Sequence, residues 1–226
     1  MEAEESLRTT FAEVGKEYGF EKIEAEFMAF KEFKVRWQRS YKWAEFKVSD
    51  YLSDAPPEVL NGLARSLFSR IMGQGEENYS ESMVEWITSP EFSTYKQPVY
   101  LRRSRNITRS QKGDVKDLSA SYDRLINMGL LERDPSVCLT WTKESNIRKV
   151  GHCSVLMRVV SISNVLDTDA IPDIVLDYCV YHELCHLLVG FDPFSNKHGE
   201  KFVSLEAKYP NQAEAEEWLK RLCMYL

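Results

Sequence analysis

No uninterrupted apolar run in the 226-residue chain is long enough to cross a bilayer, which argues against a helical membrane protein. The first residues are acidic, with Glu2, Glu4 and Glu5 where a secretion signal would be basic and then apolar, so a cytoplasmic location is expected. Five cysteines form no C-x-x-C pair, which speaks against a disulfide framework and against a cysteine-rich zinc ribbon. Cys138, Cys179, Cys185 and Cys223 are therefore expected to serve core packing. Basic residues are in deficit as well, 29 against 35 acidic, and the resulting net charge of −6 gives no whole-surface attraction to nucleic acid or to anionic membrane. There is no internal repeat, no low-complexity tract and no glycine-rich phosphate cradle.

What is present is an ordinary globular composition, 43% hydrophobic and 28% charged, on a chain long enough for one catalytic domain and a sizeable extension. The expected class is α+β, with a helical N-terminal subdomain over residues 1–92 and a mixed domain over 93–226. Phe27, Phe30, Phe33, Trp37 and Tyr41 recur at helical spacing with basic residues between them, which predicts a core-facing helix with a solvated back. A second helix is predicted from Val59 through Leu63, Leu67 and Ile71, stopped by Gly73-Gln74-Gly75. Beyond Pro98, Val99-Tyr100-Leu101 and Val137 to Thr142 are predicted strands, with a helix from Val115 to Met128 between them. Lys96, Arg102, Arg103, Arg105, Arg109, Lys112 and Lys116 form a basic cluster. Without a stacking platform or phosphate loop it stands as a solvated segment, so nucleic acid remains a conceivable partner that the net charge does not support.

The segment that carries chemistry is His182-Glu183-Leu184-Cys185-His186, an H-E-x-x-H pattern inside an apolar helix predicted from Pro172 to Gly190. Residues four apart on a helix share a face, so both imidazoles can reach one metal while Glu183 lies beside it without binding. Zinc held in this way acidifies a bound water to a pKa of about 7, and a neighbouring carboxylate can take the proton. Two histidines and a glutamate are costly to bury without such a purpose. Three protein ligands are needed. His198 is the remaining downstream histidine, beyond the reversing segment Asp192-Pro193-Phe194-Ser195-Asn196, and Glu206 on the same following helix is its rival. The metzincin variant is excluded, because it needs glycine and histidine where Val189 and Asp192 stand.

At these positions the chain resembles the SprT-like and YgjP-like zinc metallopeptidases, which share features with the small gluzincins. Leu176-Asp177-Tyr178 leading through Val180 into the H-E-x-x-H segment is similar to that family's active-site helix, and His198-Gly199 with Phe202 to its third-ligand segment. Gly151-His152-Cys153-Ser154 is similar to its Gly-Ser-Cys-Ser turn, and Tyr209-Pro210 and Trp218-Leu219 to its tail. The resemblance covers residues 150–220 or so and implies a zincin-like metalloendopeptidase. It implies a short sheet over two packed helices, one zinc per chain and a protein or peptide substrate laid along an edge strand within Cys153 to Ser163. Val155, Leu156, Met157, Val159, Val160 and Ile162 are read as one doubly buried strand there. The roughly 90-residue front has no counterpart in the resemblance.

Four further residues have candidate roles: His152 as a hydrogen-bond donor to the transition state, Cys153 as a thiolate ligand conferring latency, and Asp173 and Asp177 as carboxylates orienting a ligand imidazole. The competing function is a non-catalytic or autoinhibited zinc protein whose front half binds protein or nucleic acid. An intact Glu183 favours the enzyme, since a purely structural site has no use for a base.

Overall fold

A computed structural model describes residues 2–73, 79–193 and 198–222, so Gln74, Gly75, Phe194-Ser195-Asn196 and Cys223 lie outside the described residues. The protein is α+β and divides into two compact units, Met1–Lys96 and Gln97–Leu226.

The first unit is not helical throughout. Helix α1 (Glu2–Glu17) leads into strands β1 (Lys22–Met28), β2 (Val35–Ser40) and β3 (Trp43–Ser49), followed by helices α2 (Pro57–Met72) and α3 (Glu81–Thr88). The sheet order is β1-β3-β2, with β1 parallel and β2 antiparallel to β3. This overturns the expected helix across Phe27 to Tyr41. The 3–4 spacing of those aromatics spans two strands and their connection, whereas the local pattern has period two. Ile23, Ala25 and Phe27 alternate with Lys22, Glu24 and Glu26, and Ala44, Phe46 and Val48 are fully buried between less buried neighbours. Phe46 and Phe68 meet edge-on at 5.0 Å between centroids, and Phe11 meets Phe46 at the same distance, so α1, α2 and the sheet share one aromatic core. Helix α2 carries the expected Val59, Leu63, Leu67 and Ile71 stripe and ends at Gly73, whose φ of 64° is a left-handed cap that costs glycine little.

Helix α4 (Pro90–Arg103) contains Val99-Tyr100-Leu101, so the predicted strand there is also corrected. Phe92, Lys96 and Tyr100, four apart, are buried on one helical face, and this periodicity outweighs the β preference of a three-residue run.

In the second unit, helix α5 (Leu118–Asn127) starts on Asp117, whose side chain accepts from the Ser119 backbone N–H. Three short strands follow: β4 (Cys138–Trp141), β5 (Gly151–Ser154) and β6 (Val159–Ile162). Their order is β4-β6-β5, with β6 parallel to β4 and antiparallel to β5. The single strand expected from Cys153 to Ser163 is thus a hairpin. β6 is its buried centre, and the edge is β5, whose residues are all partly exposed. Arg158, at φ 52°, makes the turn and is held by Ser136 Oγ and the Asp134 carboxylate, a left-handed position that no glycine announced. Helix α6 (Asp173–Val189) is central, buried along most of its length, and ends at Gly190. It packs against α5, β5, β6 and the helices α7 (Glu200–Glu206) and α8 (Gln212–Lys220). The core joins Leu139, Trp141 and Val160 of the sheet to Val175, Leu176 and Val180 of α6 and to Phe202 of α7. Among the described residues no helix is long and apolar enough to cross a membrane.

Candidate metal centre

Helix α6 can carry polar groups in its middle because one stretch of its surface opens into a cleft. His182 and His186 lie one turn apart on that stretch, half-buried, and His198, exposed, stands one residue before the glycine that opens α7. One nitrogen from each imidazole lies within 4.8 Å of the others. The ring centroids form a nearly equilateral triangle, 5.3 Å for His182–His186, 5.4 Å for His182–His198 and 5.1 Å for His186–His198. The cluster can hold a metal ion, and among the described residues it is the one group of three potential ligands that converges in this way.

Phe202 sets the triangle. Its ring is buried and lies 5.0, 4.5 and 4.6 Å from the His182, His186 and His198 rings, so all three imidazoles rest on one apolar floor. The first turn of α7 therefore fixes where His198 stands relative to α6. The donor set fits a borderline-soft divalent cation, because three imidazole nitrogens converge with an open side to the cleft.

Glu206 does not join the triangle. Its carboxylate accepts from His182 Nδ1 at 2.6 Å and from the Tyr178 hydroxyl at 2.8 Å. A carboxylate accepts, so His182 Nδ1 is the donor of this bond, and in the neutral ring Nε2 is the nitrogen left to bind a metal. The Tyr178 hydroxyl also reaches Glu216, at 3.1 Å, and burial together with the two carboxylates holds its proton firmly. Glu206 is thus the residue that orients an imidazole of the candidate site, a place that sequence reasoning, which weighed it as a third ligand, did not give it. The aspartates offered for it are used elsewhere: Asp177, buried, accepts from Arg124 Nε and Nη2, both at 2.7 Å, and from Ser121 Oγ at 2.6 Å. Asp173 accepts from Lys116 Nζ at 2.8 Å.

Glu183 is 7% exposed, faces the same cleft, and accepts no hydrogen bond among the described residues. Burial pushes its carboxyl up to about 7, against the opposing pull of His182 and Lys149. The residue that makes room for it is Gly151, the first of β5: a Cβ there would lie 2.4 Å from Glu183 Oε1 and 2.8 Å from its Cγ. The cleft encloses about 420 Å³ and is lined by the three histidines and Glu183 on one side and by Lys149, Gly151, His152 and Cys153 on the other. His152 Nδ1 lies 3.2 Å from Lys149 Nζ. Cys153 is not among the converging ligands. Burial, and Glu183 beside it, push its thiol up. Burial likewise raises Cys138, Cys179 and Cys185.

Much of the basic cluster is structural. Arg109 caps α4 through the Leu101 and Arg102 carbonyls, Lys116 binds the Ile171 carbonyl and Asp173, and Lys96 is paired with Asp54. Comparison with protein-family models, with curated proteins and with solved structures finds no match to this chain.

Proposed function

We propose that the protein is a zinc-dependent metallopeptidase of the SprT-like and YgjP-like kind, with His182, His186 and His198 as metal ligands and Glu183 as general base. The observation that carries this reading is Glu183 itself: a buried carboxylate, next to an imidazole of the converging histidine cluster, facing a cleft and tied down by no hydrogen bond among the described residues. A purely structural site would leave such a group as uncompensated cost. When bound, zinc supplies Lewis acidity, polarising a peptide carbonyl and lowering the pKa of a coordinated water to about 7.

The chain's own residues do the rest. Glu206 holds the His182 ring and its tautomer, and Phe202 supports all three rings. Strand β5, paired on one side to β6, offers its other edge to an extended peptide, which would gain backbone hydrogen bonds with little demand on sequence. Glu183 accepts the attacking water's proton and passes it to the leaving amine. Lys149 and His152 are the side-chain donors in the cleft available to the developing oxyanion.

The test is metal content and hydrolysis together. Wild type should carry about one zinc per chain, His198→Ala should lose most of it, and Glu183→Gln should keep the metal while losing hydrolysis of an unstructured protein substrate. Unaltered hydrolysis by Glu183→Gln refutes the base. Zinc bound by a wild type that cleaves nothing leaves a metal-stabilised binding module in place of an enzyme.

A further inference from the structure

A second cleft, of about 560 Å³, adjoins the metal centre. Lys149, Gly151, His182 and Glu183 line both, so the two meet where β5 begins. Its volume is that of a small-ligand or side-chain pocket. The walls away from the metal are apolar: Ile147 and Val150 from the segment entering β5, and Leu219 from α8. Ile147 remains 47% exposed, an aliphatic side chain at a cleft lip with water on one side of it.

The lip is cationic. Arg148, Lys149 and Lys220 line it, together with Glu216, whose carboxylate accepts from Gln212 Nε2 at 2.8 Å and lies 3.1 Å from the Tyr178 hydroxyl that it shares with Glu206. Lys220 lies 3.8 Å from Glu217. Arg148 has no carboxylate within ion-pair distance among the described residues, whereas Lys149 is directed to His152 Nδ1 and also pulls on the Glu183 carboxyl. Apolar walls beneath a lip that carries Arg148, Lys149 and Lys220 complement a ligand that is bulky and apolar with a negative charge beside it.

We propose that this cleft is the specificity pocket, seating a large aliphatic or aromatic side chain next to the scissile bond, with a substrate carboxylate at the Arg148–Lys149 lip. That carboxylate comes from a neighbouring acidic side chain or from the peptide's own C-terminus. The inference rests on the peptidase reading for the bond that is cut, whereas occupancy of the pocket does not require cleavage.

Binding and cleavage are therefore measured separately. Dye-labelled peptides are titrated by fluorescence anisotropy into zinc-loaded Glu183→Gln protein, varying one position among Phe, Leu and Ala, its neighbour between Glu and Lys, and the C-terminus between acid and amide. Phe and Leu should bind about ten- to a hundredfold tighter than Ala. A carboxylate at the lip should add about two- to fivefold, fading as salt rises. Loss of that gain on amidation assigns the carboxylate to the C-terminus, and its survival on amidation with loss on Glu-to-Lys exchange assigns it to a side chain. Ile147→Asp, at an exposed position that the fold tolerates, should erase the Phe-over-Ala preference, and Arg148→Glu should reverse the charge preference. Equal binding of Phe and Ala peptides, or preferences unmoved in both variants, overturns the pocket whether or not the wild type hydrolyses anything. Absence of hydrolysis by zinc-loaded wild type overturns the peptidase reading alone and leaves the binding result standing.

Discussion

Replacing Gly151 by alanine is the sharpest probe of how the sheet positions Glu183, the proposed base. The added Cβ would sit 2.4 Å from Glu183 Oε1, 2.8 Å from Cγ and 2.9 Å from Cδ, where ordinary contact begins at 3.4 Å. Because the stem of the side chain is crowded along with its tip, turning the carboxylate does not relieve the overlap. The whole side chain must withdraw by about 1 Å, and a displacement of that size at a reacting group costs on the order of a hundredfold in rate, or about 2.7 kcal/mol. The backbone should tolerate the change, since Gly151 lies in a strand with no positive φ. Replacing glycine there tightens the unfolded chain by about 0.4–1 kcal/mol, which partly offsets the crowding. Zinc stoichiometry should stay near that of wild type, the thermal midpoint should move by only a few degrees, and kcat/KM on a peptide substrate should fall about a hundredfold. Wild-type kcat/KM in Gly151→Ala would refute the contact as the device that places Glu183. Loss of zinc in parallel with activity would show that the glycine protects the ligands and not the base.

Glu206→Leu removes the acceptor for His182 Nδ1 and should weaken zinc binding about ten- to a hundredfold in chelator competition, with Glu206→Gln closer to wild type because its amide oxygen can still accept. An unchanged affinity in Glu206→Leu would rule out an orienting role. Asp177→Ala leaves Arg124 and Ser121 without their shared acceptor and should cost about 2–3 kcal/mol in urea unfolding, less than a fully buried pair because Arg124 is one-third exposed. The folded fraction should bind zinc as before, and a selective loss of metal would return Asp177 to the centre. Asp117 and Asp173 are held below the ordinary carboxylate range, the first by the Ser119 hydroxyl and backbone, the second by Lys116. Depressed folded values mean that their stabilisation is complete above the unfolded aspartate value of about 3.9 and disappears as pH falls through the folded values. Urea midpoints should therefore drop below about pH 4, each group contributing under about 1 kcal/mol because neither is shielded from solvent, and the double Asp→Asn variant should flatten that drop. An undiminished drop in the variant would place the acid sensitivity elsewhere.

The helix bearing His182 and His186 was legible because all its signals are local: a proline before its first turn, a glycine after its last, and two histidines at the one spacing that stacks them. His198 was legible by counting ligands, since chemistry demands a third donor and the chain offers few. The front of the chain was misread because aromatics three and four apart can arise from two antiparallel strands and the loop between them. The deciding signal was the alternation of Lys22, Glu24 and Glu26 with Ile23, Ala25 and Phe27, which short charged strands carry weakly. The hairpin between β5 and β6 escaped notice for a related reason: its turn places Arg158 in a left-handed conformation with no glycine or asparagine to mark it.

The remaining parts of the site are tertiary facts. Glu206 meets His182 across 24 positions of sequence because α7 packs on α6 with Phe202 between them, and nothing in the identity of a glutamate says whether it ends as ligand, partner of a ligand or solvated charge. The choice follows from reach. His198, ahead of the first turn of α7, lies level with the opening between His182 and His186, while Glu206, nearly two turns further on, arrives at the far nitrogen of His182. Gly151 is the converse case: its role lies in the side chain it lacks, which appears only once β5 is laid against α6. Spacing along one helix thus specifies which atoms can share a metal, and the packing of the neighbouring elements specifies which nitrogen is offered and where Glu183 stands.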